Sequence, residues 1–301
     1  MKKVLISGGS GLVGNTLTRL LKNEGIEVHW LSTRKNANAQ GVQVHYWNPN
    51  ALEIEDGALD GIDTVFHLAG ASVAQRWTDK NKRAILDSRV MGTQTLYKAI
   101  AESDHKPENF ISASAVGYYP SDYDEFYTED AAPATDFLGN VVTEWEREVD
   151  RISSLGARVV KLRIGIVLDK SGGALGQMIP AFKFGLGSPL GSGKQWMPWI
   201  HVEDLARMFI HAGNNAKMTG AYNAAAESQV RNKEFGRCLA VAMNKPYFFP
   251  PVPSFALKLL LGEMAQIALM STHVSVERVK ETGFTWKHPE LVSAMKDVLS
   301  K

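Results

Sequence analysis

Two kinds of stretch alternate along the first half of the chain. Short continuous apolar runs read as strands: Val4-Leu5-Ile6, Val28-His29-Trp30-Leu31, Asp63-Thr64-Val65-Phe66-His67-Leu68, Phe110-Ile111-Ser112 and Arg158-Val159-Val160-Lys161-Leu162. Between them the spacing is helical. Leu12, Val13, Leu17, Leu20 and Leu21 share one face, which Asn23-Glu24-Gly25 ends. Residues 80–101 and 141–153 read as further helices, and Val42 to Tyr46 as a short strand between Gly41 and Gly61. Strands alternating with helices predict an α/β fold, a doubly wound parallel sheet with crossover helices.

The texture changes after Ile166. Gly172-Gly173, Gly185, Gly187, Gly191 and Gly193 punctuate a stretch, up to Trp199, that reads as loop. Pro246, Pro250, Pro251 and Pro253 make a rigid connector that no helix can cross. Helical patterns follow near residues 254–270 and 289–299. The expected organisation is a nucleotide-binding lobe over residues 1–168, to which 200–225 return. A smaller α+β C-terminal lobe is formed by 169–199 and 226–301. There is no internal repeat.

Composition narrows the class. Hydrophobic residues at 45% and charged residues at 22% are globular values. Thirty-three basic against thirty-two acidic residues leave a net charge of +1, which argues against nucleic acid or an anionic membrane surface as partner. The one cysteine, Cys238, excludes an internal disulfide framework and a multi-cysteine zinc site. Three apolar residues after Lys2-Lys3 fall short of a signal peptide's core, and no apolar run approaches a membrane span. The expectation is a soluble, cytoplasmic protein.

The most informative segment is Ser7-Gly8-Gly9-Ser10-Gly11-Leu12-Val13-Gly14. Glycines 9, 11 and 14 satisfy G-x-G-x-x-G, and glycines 8, 11 and 14 satisfy G-x-x-G-x-x-G. A strand precedes this turn and a helix opens from it, the context in which glycines allow a tight turn and close approach of a pyrophosphate. Gly8, Gly11, Leu12, Val13 and Gly14 are therefore expected to bind a dinucleotide at the helix N-terminus. At the end of the second strand, where a carboxylate would bond the ribose of NAD, the chain reads Leu31-Ser32-Thr33-Arg34-Lys35. Thr33 and Arg34 favour the 2′-phosphate of NADP(H) over NAD; the alternative for Arg34 is a solvated loop side chain.

With these residues the chain resembles an extended short-chain dehydrogenase/reductase. More narrowly, it is similar to NAD-dependent epimerase/dehydratase family proteins that carry a C-terminal domain of unknown function. Further landmarks are His67-Leu68-Ala69-Gly70-Ala71, the run from Ser112 to Tyr119, Asp136-Phe137-Leu138, Trp145-Glu146, Trp199 to Leu205, and Gly283-Phe284. The resemblance implies a Rossmann fold, NADP(H) and a small-molecule substrate between the lobes. A homodimer is common among relatives. It also implies that Leu68, Ala69, Gly70, Arg89 and Ser112 line the cofactor and that Ser114 polarises a substrate carbonyl.

One family feature is missing. None of the eight tyrosines has a lysine four positions on, and the place of the Tyr-x-x-x-Lys pair reads Phe137-Leu138-Gly139-Asn140-Val141-Val142. Arg89 stands where the family usually has asparagine. Tyr118 and Tyr119, just beyond Ser114, are the candidate proton donors, with packing or substrate stacking as the alternative. Glu129 is a further candidate or a solvated turn. Arg163 faces an anionic substrate or pairs within the fold. His201 contacts substrate or is anchored at a helix start.

Other chemistries fail on inspection. The loop Ser188 to Gln195 lacks the first glycine and the Ser/Thr of a P-loop. No histidine spacing suggests a metal, and no G-x-S-x-G supports a hydrolase. The apolar residues from Phe255 to Met270 read as a buried lid or core helix, with a partner or membrane helix as the alternative. Two functions remain: an NADP(H)-dependent oxidoreductase or epimerase-like enzyme on a small polar substrate, and a catalytically weakened NADPH-binding sensor or interaction protein.

Overall fold

Val4, Leu5 and Ile6 are wholly removed from solvent, as a run apolar on both faces must be. The computed structural model, which describes residues 1–35 and 37–300, places them in β1 (Lys3–Ser7). The chain continues through α1 (Leu12–Asn23), β2 (Glu27–Ser32), β3 (Gln43–Asn48), β4 (Glu53–Ile54), β5 (Thr64–His67), α2 (Asp79–Glu102), β6 (Asn109–Ala115) and β7 (Phe126–Tyr127). Next come α3 (Phe137–Arg151), β8 (Arg158–Ile164), β9 (Ile166–Leu168), α4 (Gly173–Lys183), β10 (Trp196–Met197), β11 (Trp199–His201), α5 (Val202–Asn214) and β12 (Gly220–Ala224). The last part holds β13 (Val230–Arg231), α6 (Asn232–Ala242), α7 (Ser254–Leu261), α8 (Ala265–Leu269), β14 (His273–Val274), α9 (Glu277–Glu281) and α10 (Leu291–Ser300).

Among the described residues eight strands form one sheet in the order β12-β8-β6-β5-β1-β2-β3-β4. All neighbours are parallel except β4, which runs antiparallel to β3. The strand order reverses at β1, which has β2 on one side and β5 on the other. Doubly wound sheets bind ligands at that reversal, beyond the carboxyl ends of the strands. A second cluster of buried side chains, including Leu175, Phe182, Trp199, Phe235, Leu239 and Met295, is contributed by α4, β11, α6 and α10.

Three elements differ from the sequence reading. Helix α3 starts at Phe137, four residues before the periodicity suggests, because Asp136 caps it: its carboxylate accepts from the Gly139 amide at 2.9 Å. The glycine-punctuated stretch after 172 contains α4, whose Leu175, Ile179 and Phe182 form a buried stripe despite Pro180 inside the helix. Glycine counting hid it. The segment 254–270 is not one buried lid. Gly262 takes a left-handed φ of 61° and splits it into α7 and α8. On α7 only Leu257 is buried, while Phe255, Leu259 and Leu260 face solvent.

Candidate functional site

The site is built on the turn between β1 and α1. Gly8 sits at φ +78°, and a Cβ there would lie 3.0 Å from the Ala69 amide nitrogen. A Cβ on Gly14 would lie 2.3 Å from the Gly8 carbonyl oxygen, so only glycine lets the first turn of α1 seat on the loop. The Gly11 amide closes the turn on the Gly8 carbonyl at 3.0 Å. Among the described residues no side chain caps α1; its leading amides, Leu12 and Val13 among them, are therefore open to an anion. The spacing at work in the backbone is Gly8, Gly11 and Gly14. Gly9 serves a different end, leaving room for the Trp30 indole, which would meet a Cβ at 2.4 Å.

Two flanking loops border this turn. At the end of β2, Thr33 and Arg34 are exposed. The Arg34 amide donates to Ser32 Oγ at 3.1 Å, and its guanidinium makes no bond among the described residues. After β5, the amides of Leu68 and Ala69 donate to Ser7 Oγ at 3.1 and 3.3 Å. Ser7 Oγ in turn lies 2.7 Å from His67 Nδ1, and His67 Nε2 lies 3.1 Å from Thr93 Oγ1. Thr93 donates its proton to the Arg89 carbonyl, so it accepts from His67 Nε2–H, and Nδ1 accepts from Ser7. Burial, with the Arg89 charge nearby, pulls the His67 pKa down to about 3 and keeps the ring neutral.

Arg89 packs under the same loop rather than reaching out of it. Its guanidinium donates to the carbonyls of Ala71 and Ile85 at 3.1 and 2.8 Å, lies over Trp145, and packs against Gly70, where a Cβ would lie 3.2 Å from Cζ. Desolvation lowers its pKa to about 10. Ser112 is fully buried with its hydroxyl on the Ala113 carbonyl.

The residues singled out for chemistry meet in a second, buried network. Ser114 donates to Glu146 Oε1 at 2.5 Å, and Arg163 grips the same carboxylate with Nε at 2.8 Å and a terminal nitrogen at 2.9 Å. The other terminal nitrogen of Arg163 donates to Tyr119 Oη and the Glu129 carbonyl, both at 2.9 Å. Tyr119 donates onward to Asn223 Oδ1 at 2.7 Å. Glu129 accepts from the Asn223 amide, which ties α3, β6, β8 and β12 together. Burial works to raise the Glu146 carboxyl, but Arg163, Lys161 and Ser114 overcome it and hold it below the usual carboxylate range. Desolvation pushes Tyr119 up to about 12.

Tyr118 is placed differently. It is half-buried, the Arg163 guanidinium lies 3.5 Å from its ring centre, and its hydroxyl makes no hydrogen bond with a described residue. Phe137 stands T-shaped against Trp77 at the start of α3. Arg163 is internally paired. His201 is fully buried: Nδ1 accepts from the Glu203 amide at the start of α5, and Nε2 lies 3.0 Å from Asp297. The fold also brings ligand atoms of His201, Glu203 and His288 within 4.8 Å of one another, a grouping that the distant positions 201 and 288 conceal. Sequence reasoning quoted Ser7 in the glycine turn and Glu146 as a family landmark but gave neither them nor Thr93 a role; a lone serine, threonine or helical glutamate carries no role until its partner is known.

The geometry defines a Rossmann-type nucleotide-binding protein, and the comparisons agree. Residues 4–140 match the model of the NAD dependent epimerase/dehydratase family, and residues 252–298 match a domain of unknown function. The chain is 38% identical over 303 residues to the epimerase family protein SH2119 of Staphylococcus haemolyticus, covering 99% of each. Among solved structures it is similar to the human epimerase family protein SDR39U1 with NADPH: 32% identity, 99% of each chain and a TM-score of 0.87. It is also similar to a nucleoside-diphosphate sugar epimerase from Corynebacterium glutamicum, at 30% identity and a TM-score of 0.80 over 99% of this chain and 58% of that one. The chain belongs to the NAD-dependent epimerase/dehydratase family, within the extended short-chain dehydrogenase/reductases.

Proposed function

We propose that this chain binds NADP(H) and acts as an oxidoreductase or epimerase-like protein on a small polar substrate. The observation that carries the reading is the cradle at the β1–α1 turn, where Gly8 and Gly14 exclude any Cβ, combined with an uncommitted Arg34 guanidinium beside it. The NADPH in the human relative supports the same cofactor. The Leu12 and Val13 amides would hold the pyrophosphate, Thr33 and Arg34 the 2′-phosphate, and Leu68, Ala69 and Gly70 the adjoining wall. When bound, the cofactor supplies hydride chemistry.

The protein's own part is to orient the substrate and move a proton. Tyr118, whose hydroxyl is uncommitted, is the residue assigned the proton, and the Arg163–Glu146–Ser114 chain fixes the strand ends beneath it. The substrate would lie between the sheet's carboxyl edge and the lobe of residues 169–199 and 226–301. A second reading, an NADPH-binding sensor, is favoured by Phe137 and Val141 in place of phenol and ammonium, and by Ser114 being bound to Glu146.

The test is a parallel titration with NADPH and NADH, read by quenching of the seven tryptophans. A screen of carbonyl compounds and nucleotide sugars follows. Tight NADPH, weak NADH and a turnover that Tyr118→Phe abolishes without changing NADPH affinity are expected. Binding without turnover on any compound selects the sensor, and binding of neither cofactor removes both readings.

A further inference from the structure

The apolar residues of the C-terminal part do not all find a core. Phe184 and Leu186, Phe248, and Phe255, Leu259 and Leu260 are 59 to 84% exposed. They come from two stretches that run side by side. A Cβ on Gly185 would touch the Pro246 ring, Ser188 donates to the Pro250 carbonyl, and Leu190 bridges Val252 in parallel. From there α7 starts at Ser254, next to Gly191. Large apolar side chains left in water together mark a surface that is covered by something else.

Charge says what covers it. Neither 171–202 nor 235–262 contains an aspartate or glutamate, while they carry five lysines and arginines, of which Arg237 pairs with Glu234 just outside, in a chain whose net charge is only +1. Lys183, Lys245 and Lys258 are exposed among the apolar residues and form no ion pair with a described residue. The first carboxylate after α7, Glu263, is already held by Lys82. A twofold pairing of this face with a second copy would set these lysines against their own counterparts, with no acid to offset them. A bilayer with anionic headgroups meets both demands: phosphates for the lysines and an acyl boundary for phenylalanine and leucine.

We infer that the face formed by residues 184–191, 245–250 and α7 docks this protein peripherally on an anionic lipid surface. The near-balanced charge of the whole chain hides this, because it takes the fold to set residues 185–191 beside 246–254, where these lysines and apolar side chains meet. No helix among the described residues is long and apolar enough to cross a membrane, so the contact is interfacial.

The test is co-sedimentation of the purified full-length chain with vesicles of phosphatidylcholine alone and with roughly a third phosphatidylglycerol. Binding at least about tenfold stronger to the anionic vesicles, weakening as salt is raised, is expected. Phe255→Glu with Leu259→Glu lowers it about tenfold or more, while NADPH titration and thermal unfolding stay as in the parent. Lys183→Glu with Lys258→Glu does the same through charge alone. No binding, equal binding to both vesicles, or a dimer in light scattering that Leu259→Glu dissolves would overturn the inference.

Discussion

Glu146 shows how one carboxylate organises a site it does not expose. It is 5% accessible, yet stays ionised because Arg163 meets it with two parallel donors and Ser114 adds a third. Removing it strands a buried guanidinium. Glu146→Ala is expected to cost about 3–5 kcal/mol in chemical denaturation, whereas Ser114→Ala should cost far less. Equal losses would mean that Ser114 and not Arg163 is the main partner. Arg34 works at the opposite extreme of exposure. Arg34→Ala should weaken NADPH binding by about 1.5–3 kcal/mol, the scale of a charged hydrogen bond, and leave NADH nearly unchanged. Equal losses for both cofactors would show that Arg34 does not read the 2′-phosphate.

At the scale of elements, the Ser7–His67–Thr93 chain ties β1, β5 and α2 behind the loop that closes on the glycine turn. Its histidine has a folded pKa of about 3, far below the unfolded value of roughly 6.5. Below that unfolded value the unfolded chain binds a proton that the fold refuses. The neutral ring's contribution is therefore complete above pH 6.5 and is lost as pH falls toward 3, by up to about 1.4 kcal/mol per unit. His67→Gln should flatten the loss of stability between pH 7 and pH 5, measured by urea unfolding at each pH. An identical slope in parent and variant would exclude His67 as the cause.

For the whole molecule, the glycine turn belongs to the large sheet, while α4, α6 and α10 form a second buried cluster, and Trp286 packs against both cores. Gly172, at the head of α4, lies against Leu12 of the turn, at a distance where a Cβ would meet Leu12 Cδ1 at 3.2 Å. Cofactor at the turn should therefore stabilise both parts together. At a hundredfold excess over Kd, NADPH should add about 2.7 kcal/mol and shift a single thermal transition. Two transitions, only one of them moved, would show that the parts unfold independently.

The sheet and its order of elements were legible because strands buried on both faces must be apolar throughout, and crossover helices must show one apolar stripe. The glycine turn was equally legible: Gly14 is dictated by contact with Gly8 and Gly9 a few residues back and Gly8 by its own left-handed φ, although the Ala69 backbone that also crowds Gly8 comes from far along the chain. The missing Tyr-x-x-x-Lys pair could be read in the same way. Tertiary structure alone decided the rest, since Glu146 and Arg163, or Ser7 and Thr93, acquire meaning only from partners far away in sequence. The same holds for α7, whose periodicity is that of a buried helix. Whether Phe255 and Leu259 meet a core or water depends on which elements the fold sets beside them, and local pattern carries no record of that distance.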